Sequence, residues 1–118
     1  MILGTGIDII EVDRIQKAME RWGEHFLRHV FTDEEIENAK QKKFPAQYYA
    51  VRFAAKEAIF KAVGDDPQLT WKDMSIVNDQ YGRPHCRFRK EKHKFNLNIS
   101  LSHTHNYAVA SAIITSST

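Results

Sequence analysis

Cysteine is almost absent from this sequence of 118 residues, in which Cys86 is the only one. An intramolecular disulfide is therefore impossible, and this usage predicts a reducing compartment, the cytoplasm. Long apolar runs are missing as well, because no stretch approaches the roughly 20 apolar residues that span a bilayer. The first residues also lack the basic leader of a secretory signal. The sequence thus predicts a cytoplasmic protein with no membrane partner.

Charge of one sign is also in short supply. The 17 Lys and Arg residues nearly balance the 15 Asp and Glu residues, which gives a formal net charge of +2. Such a small excess does not by itself indicate a nucleic-acid partner, so only local clustering of charge can do so. The hydrophobic content of 42% and the charged content of 27% are typical of a globular protein. The length favours one domain over residues 1–118.

Helical periodicity dominates the first half of the chain. Apolar residues from Ile15 to Val30 recur at helical spacing and predict one helix. Thr32 followed by Glu35 forms a capping-box pattern, which begins a second, short helix. A third helix is predicted from about Ala46 to Val63, and Gly64 ends it.

Strand-like segments flank these helices. The segment GIDII at residues 6–10 predicts a short buried strand near the N-terminus. Later in the chain, four segments predict further strands: MSIVND, HCRFR, FNLNISLSH and YAVASAII. A strand, then helices, then an antiparallel β-meander indicates an α+β fold.

Two carboxylates lie where apolar residues are expected. Asp8 is at the centre of the apolar GIDII strand, and an uncompensated buried charge costs several kcal/mol, on the order of any unpaired ion in a dry site. Either Asp8 points outward or a positive charge meets it. Glu57 shares a helix face with Phe53 and Phe60. One Mg²⁺ ion would compensate both carboxylates, because it takes one or two protein carboxylates and fills its other positions with water and phosphate oxygens.

The basic residues of the same helix allow two interpretations. Lys61 follows Glu57 at i+4, and Arg52 precedes Lys56 at the same spacing. Lys61 and Arg52 would contact phosphates if a metal-phosphate site is present. Alternatively, Glu57 and Lys61 form a plain surface pair and Asp8 caps a turn. The residues alone leave both interpretations open.

Four motifs resemble those of a known family. GIDIIEVDRI, RFAAKEAIFKA, GRP and SLSHTHNYAVA occur in that order. They resemble the holo-[acyl-carrier-protein] synthases, the short bacterial type of phosphopantetheinyl transferase, over essentially the whole chain. The resemblance implies a phosphopantetheinyl-transferase-like fold. It also implies transfer of the 4′-phosphopantetheine arm of coenzyme A to a serine of apo acyl carrier protein, with release of adenosine 3′,5′-bisphosphate, in fatty acid biosynthesis.

The resemblance also implies roles for residues that match the motifs. Asp8 and Glu57 are the Mg²⁺ ligands, and Glu57 takes the serine proton directly or through a metal-bound water. Lys61 contacts the diphosphate of coenzyme A. The remaining residues implied to contact coenzyme A are Arg52, Gly64, Arg83, Pro84 and His103.

One segment departs from the family pattern. The third predicted helix is followed by Asp65 and Asp66 where the family has a longer glycine-rich turn. Negative charge just past a helix C-terminus is mildly unfavourable, and it makes this turn a poor phosphate cradle.

The resemblance further implies protein partners. The family is typically a homotrimer with coenzyme A bound between subunits, so one coenzyme need not be held by one chain. Its first helix docks the acidic helix of the carrier protein. Arg14 and Arg21 are therefore the predicted docking residues, ahead of Lys17 and Arg28 on the same face.

Two other groups of residues allow alternative functions. Six Lys and Arg residues lie between positions 83 and 94, interleaved with aromatic residues, which is typical of a nucleic-acid-binding module or of a solvated hairpin edge. His103 and His105 share a face if they lie on one strand, as zinc ligands can, but a zinc site needs at least a third ligand. The prediction is a protein with neither zinc nor a nucleic-acid partner.

Overall fold

The computed structural model describes residues 1–116, and the predicted α+β class is confirmed. Within this range the order of elements is β1 (Ile2–Glu11), α1 (Val12–Trp22), α2 (Glu24–Val30), α3 (Asp33–Ala39), α4 (Pro45–Val63), β2 (Met74–Asn78), β3 (Pro84–Phe88), β4 (Asn96–His103) and β5 (Tyr107–Thr115). Short 3₁₀ turns precede β2 and β4. One domain over residues 1–118 stays a prediction, and its last two residues lie outside the described range.

The strands divide into two antiparallel sheets. One sheet has the order β1-β5-β4, and the other pairs β2 with β3. Helix α4 lies against β1 and β5, where small side chains allow a close approach. A Cβ atom added to Gly6 of β1 would lie 2.0 Å from the carbonyl oxygen of Ala58 on α4. Only glycine fits there, and this contact brings β1 directly onto the helix.

Strand β1 is buried on one face only, so the prediction of a buried strand is wrong for half of its residues. Ile7 and Ile9 are 65% and 66% exposed, whereas Ile10 is 7% exposed. Successive strand residues point to opposite faces, so Asp8 lies on the same side as Ile10, toward α4. Its side chain is 16% exposed. The sequence identified the unusual carboxylate correctly, but β1 leaves an apolar outer face uncovered.

The single helix predicted from Ile15 to Val30 is two helices. Gly23 separates α1 from α2 with a φ of 51°, in the left-handed region that glycine adopts at low cost. The break turns Trp22 outward, although the apolar spacing had placed it with the buried residues. The other helix predictions are confirmed, including the capping box of Thr32 and Glu35 and the end of α4 at Gly64.

A buried ion pair anchors α4 to the rest of the molecule. Lys56 and Glu35 are both fully buried, and Lys56 Nζ donates to Glu35 Oε1 at 2.6 Å. The same ammonium donates to the carbonyl oxygens of Val30 at 2.8 Å and Trp71 at 3.1 Å. Glu35 Oε2 accepts from the N–H of Ile76 at 2.8 Å. Three acceptors satisfy the three ammonium protons, so this cluster ties together α2, α3, α4, the 3₁₀ turn at Trp71 and β2.

Candidate active site

Strand β1 and helix α4 bring Asp8, Glu57 and Lys61 together. Asp8 and Glu57 line one cavity of about 250 Å³, which we call the Glu57 cavity. Lys61 Nζ lies 3.3 Å from Asp8 Oδ1 and donates to the carbonyl oxygen of Ile7 at 2.9 Å. A positive charge therefore does meet the Asp8 carboxylate. Lys61 pairs with Asp8 rather than with Glu57, so the alternative of a plain Glu57–Lys61 surface pair is wrong.

The surroundings of Glu57 disfavour the ionised form of its carboxyl group. Burial raises the pKa of Glu57 above its usual range, the negative charge of Asp8 raises it further, and Lys61 opposes both effects. Among the described residues Glu57 makes no hydrogen bond and no ion pair. A half-buried carboxylate with a raised pKa and no partner can accept a proton or bind a cation.

Three aromatic rings form a cluster that includes two residues on the helix face of Glu57. Trp71 stacks on Phe53 with ring centroids 5.1 Å apart, and it meets Phe60 edge-on at 5.0 Å. Phe53 and Phe60 flank Glu57 on the same face of α4, as their spacing predicted. Trp71 comes from the 3₁₀ turn before β2 and was missed by the sequence reasoning, because no local period links it to α4.

A second cavity continues from Lys61 past the end of α4. This Lys61 cavity has a volume of about 700 Å³ and is lined by Phe60, Lys61, Gly64, Asp65, Asp66 and Pro67. Asp66 Oδ2 lies 3.2 Å from Nε2 of the buried His93, in a contact that lacks good hydrogen-bond alignment. Asp66 Oδ1 also accepts from the N–H of Gln68 at 3.0 Å. Asp66, one of the two aspartates that depart from the family pattern, therefore uses its carboxylate in contacts within this chain.

A third cavity lies at the other end of α4. This Arg52 cavity has a volume of about 420 Å³. It gathers the predicted residues Arg52, Pro84 and His103 with residues that the sequence reasoning missed, namely Lys42, Lys43, Tyr48 and Asn78. The guanidinium of Arg52 lies 3.9 Å from the centroid of the Tyr48 ring, and its buried Nε has no hydrogen-bond partner within residues 1–116. The sequence signal that could have predicted this cavity is the pair of adjacent lysines, Lys42 and Lys43, just before α4. Arg83 does not line this cavity, although both of its neighbours do.

The predicted coenzyme contacts therefore fall into two separate groups. Arg52 and Lys61 are nine positions apart on α4, and at about 100° per residue they lie on opposite faces of the helix. The Arg52 cavity shares no lining residue with the Lys61 cavity or with the Glu57 cavity.

The basic residues of α1 and α2 differ in whether they form ion pairs within the chain. Lys17 pairs with Asp13 at 2.8 Å, and Arg28 of α2 pairs with Glu24 at 2.9 Å. Arg14 and Arg21 have no ion-pair partner among the described residues. Arg14 lines the Glu57 cavity, and the guanidinium of Arg21 lies 4.9 Å from the centroid of the exposed Trp22 ring.

Most of the basic segment from 83 to 94 is paired within the molecule. Arg87 pairs with Glu34, Arg89 and Lys90 lie near the Asp73 carboxylate, and Lys94 pairs with Glu91. This pairing leaves little free positive charge for a nucleic-acid backbone.

The two histidines of the SHTH motif face different cavities. His103 lines the Arg52 cavity, and His105 lines a neighbouring one, where its Nδ1 lies 3.4 Å from Nε2 of Gln47. Over residues 1–116, no group of three or more His, Cys, Asp or Glu side chains is placed to hold a metal. Nor does any helix in that range have the length and apolarity to cross a membrane.

The donor set at the Glu57 cavity fits Mg²⁺ rather than zinc. Asp8 and Glu57 supply two hard carboxylate oxygens in one cavity, which is the number that Mg²⁺ takes from proteins when phosphate and water complete its coordination. A cation there would also relieve the repulsion that raises the pKa of Glu57.

Comparison with known proteins identifies similar sequences and folds. Residues 4–112 match the 4′-phosphopantetheinyl transferase superfamily. A holo-[acyl-carrier-protein] synthase of Geobacter sp. (strain M21) is 45% identical over 89 residues, which cover 74% of this chain and 71% of that protein. The crystal structure of a holo-(acyl-carrier-protein) synthase from Bacillus anthracis in complex with CoA (3′,5′-ADP) has a TM-score of 0.86 at 36% identity and covers 99% of both chains. The Helicobacter pylori holo-[acyl-carrier-protein] synthase in complex with coenzyme A has a TM-score of 0.82 at 32% identity, covering 94% of this chain and 99% of that one.

Proposed function

Because this chain belongs to the 4′-phosphopantetheinyl transferase superfamily, we propose that Asp8, Glu57 and Lys61 form a Mg²⁺-dependent active site. The activity itself is transfer of the phosphopantetheine arm of coenzyme A to an apo acyl carrier protein, as the motifs predict. The observation that carries the site assignment is the convergence of two carboxylates and one lysine from β1 and α4.

The three side chains divide the chemistry. Asp8 and Glu57 would hold Mg²⁺, which would neutralise charge on the diphosphate of coenzyme A. The serine oxygen bonds to the phosphorus of the pantetheine arm, and the P–O bond to adenosine 3′,5′-bisphosphate breaks. Glu57 takes the proton of the carrier serine, either directly or through a water that the metal would hold, because it is a carboxylate of this cavity with no other partner among the described residues. Lys61 contacts the diphosphate and stabilises the charge that develops in the transition state.

The proposed reaction is tested by incubating the protein with coenzyme A, Mg²⁺ and an apo acyl carrier protein, followed by intact mass measurement of the carrier. We expect the carrier to gain the mass of one phosphopantetheine arm, and we expect EDTA to prevent the gain. A known transferase serves as the positive control. If the known transferase modifies the carrier and this protein does not, the activity is rejected. A mass gain that EDTA leaves unchanged would reject Mg²⁺ dependence.

We also propose that the enzyme is a homotrimer whose subunits share each site. The outer face of β1 exposes Ile2, Leu3, Ile7 and Ile9, and such an apolar patch favours an interface. The predicted coenzyme contacts lie on opposite faces of α4, in cavities that share no lining residue, which favours a site in which two chains surround one coenzyme. Two chains in a cyclic trimer can do so, because each interface there joins two different surface patches.

Mixed trimers are expected to recover activity that each parent lacks. Glu57→Gln removes the proposed base, and Arg52→Met removes the guanidinium from the other group of contacts. In trimers formed from both variants at equal amounts, about a quarter of the sites combine two intact halves, so about a quarter of wild-type turnover is expected. Co-refolding of the two variants, followed by the mass assay, measures this recovery.

The matched control mixes Glu57→Gln with Lys61→Met, whose lesions fall in the same half of the site. This mixture should stay inactive at every ratio. Recovery in the control, or none in the Glu57→Gln and Arg52→Met mixture, would contradict a site shared between subunits. Light scattering on the wild-type protein checks the trimer independently.

Carrier docking is proposed at Arg14 and Arg21 of α1. Both guanidinium groups lack ion-pair partners in the described part of the chain, and Arg14 lies at the rim of the Glu57 cavity. Residues 14 and 21 are about two helical turns apart, so both can contact one acidic helix of a carrier. Lys17 and Arg28 already pair with neighbouring carboxylates, which reduces what they can offer a partner.

Charge reversal at Arg14 and Arg21 is expected to raise KM for the carrier at least about tenfold at low salt while leaving KM for coenzyme A nearly unchanged. Because screening weakens contacts between exposed charges, the defect should shrink as salt is added. Steady-state kinetics with each substrate varied in turn makes the measurement. Reversal of Lys17 and Arg28 is the matched control, with the same change of net charge and a smaller expected effect. Equal effects of the two reversals would mean that net charge, not position, matters.

We further propose that the enzyme acts in the cytoplasm and in fatty acid biosynthesis. The isolated Cys86 thiol suits a reducing compartment. Burial raises the pKa of this thiol to about 12, which keeps it protonated and unreactive at neutral pH.

A further inference from the structure

One side chain, that of Asp79, holds the tip of the hairpin formed by β2 and β3. Asp79 Oδ1 accepts from the N–H of Tyr81 at 2.8 Å and from the N–H of Arg83 at 2.9 Å. Asp79 Oδ2 lies 2.8 Å from Nε2 of His85. The hydrogen bond from His85 and the amide of Arg83 lower the pKa of Asp79, so its carboxylate stays ionised and accepts at neutral pH.

The backbone of the same loop is equally well defined. The N–H of Asp79 donates to the carbonyl oxygen of Arg83 at 2.8 Å, and the N–H of Gly82 donates to the carbonyl oxygen of Asp79 at 3.0 Å. Gly82 has a φ of 80°, in the left-handed region. An Asp that accepts from amides two and four residues later, followed by a left-handed Gly, specifies a hairpin loop of this kind. Asp79 and Gly82 therefore fix the course of the loop.

This loop forms one wall of the Arg52 cavity. Gly82 and Pro84 line the cavity together with Arg52 and His103. The loop residues Gln80, Tyr81 and Arg83 are exposed, so the loop is held by its own hydrogen bonds rather than by packing against the core. A wall that is already in place spares the ligand the entropy cost of ordering it on binding.

We propose that Asp79 is a positioning residue for coenzyme A, because it fixes the loop that places Gly82 and Pro84 in the wall of the Arg52 cavity. This inference rests on the proposed function, in which the residues of that cavity form one of the two groups of coenzyme A contacts. Asp79 acts as a hydrogen-bond acceptor for loop amides. Its negative charge is not the useful property, since a free carboxylate beside a polyanionic substrate would weaken binding.

The test compares Asp79→Ala with Asp79→Asn. Alanine removes both side-chain acceptors, and we expect Kd and KM for coenzyme A to rise about tenfold, as the loss of one or two hydrogen bonds implies. We expect kcat to stay within about twofold and KM for the carrier to stay unchanged, because the chemistry lies in a different cavity. Asparagine keeps one side-chain carbonyl oxygen and favours the same turn, so it should remain within about threefold of wild type. Calorimetry with coenzyme A gives Kd, and steady-state kinetics gives the other constants.

Two further variants complete the design. Asp33→Ala removes an equivalent charge from an exposed position on α3 and should change none of these constants. Arg83→Ala probes whether the loop contacts coenzyme A at all. An unchanged Kd in Asp79→Ala with a raised Kd in Arg83→Ala would overturn the proposal while leaving the site in place. An Asp79→Asn variant as weak as Asp79→Ala, or a carrier KM that rises equally, would also overturn it. Failure of the proposed function would instead appear in the wild-type protein, as a carrier without mass gain.

Discussion

Replacement of Glu57 by glutamine is expected to slow phosphopantetheine transfer at least about 100-fold, the usual contribution of a positioned general base. Glutamine keeps the volume of the side chain but can neither take a proton nor balance a divalent cation. Asp8→Asn should produce a defect of similar size, because the two carboxylates line one cavity. Initial rates at limiting and saturating Mg²⁺, with the carrier mass as readout, measure both effects.

The fold should tolerate the Glu57 replacement. Burial and the charge of Asp8 raise the pKa of Glu57, which means that the folded state disfavours the ionised carboxylate. A raised carboxyl pKa lowers stability above that pKa, and this penalty disappears as the pH falls and the group protonates. In EDTA at neutral pH, Glu57→Gln should therefore unfold at a temperature no lower than wild type.

Glu37→Gln is the matched control for Glu57→Gln, because Glu37 is exposed on α3 and pairs only with Lys40. Its turnover should equal that of wild type. Full activity of Glu57→Gln at limiting Mg²⁺ would remove both proposed roles from this residue. A large loss of stability would mean that Glu57 is structural.

Lys56→Met is expected to destabilise the protein by about 3–5 kcal/mol, the range for breaking a buried ion pair from one side. Methionine has a similar shape but supplies no donor to Glu35, Val30 or Trp71. The Glu35 carboxylate would stay fully buried without its counter-ion. Such a loss is a large fraction of the stability of a typical domain. Urea unfolding followed by circular dichroism measures it.

Lys40→Met is the matched control, which tests whether replacing any lysine by methionine lowers the unfolding free energy. Lys40 is on the surface and forms an exposed pair with Glu37 at 3.3 Å, so its replacement should change the unfolding free energy by no more than about 0.5 kcal/mol. The double variant Lys56→Met with Glu35→Gln should recover part of the loss, since the remaining side chain is neutral. A Lys56→Met protein as stable as Lys40→Met would show that the buried pair contributes little.

The sequence predicted elements well where local chemistry specifies them. Thr32 and Glu35 predicted a helix start through the capping box, and Gly64 predicted the end of α4. Gly23 was overlooked because the apolar spacing continues across it, although its left-handed φ divides the helix. Periodicity records which residues share a face, but it does not record where one unfavourable backbone position interrupts the chain.

Only those residues of the candidate site that carry a local sequence signal were predicted. Asp8 and Glu57 stood out because carboxylates are costly in apolar segments, and motifs supplied Lys61. Trp71, Lys42 and Lys43 carried no comparable local signal. Lys56 had been noted only for its spacing from Arg52, and its burial with Glu35 depends on residues 21 positions apart.

By itself, the sequence determined the order of strands and helices, the α+β class and the family motifs, because short-range periods, caps and turns are written into neighbouring residues. The tertiary structure alone decided that β1 is buried on one face and that Lys61 meets Asp8 across 53 positions of the chain. It alone placed Arg52 and Lys61 on opposite sides of α4, in separate cavities. These facts depend on how β1 packs against α4 through the glycine at position 6, and packing between distant segments leaves no trace in a local pattern.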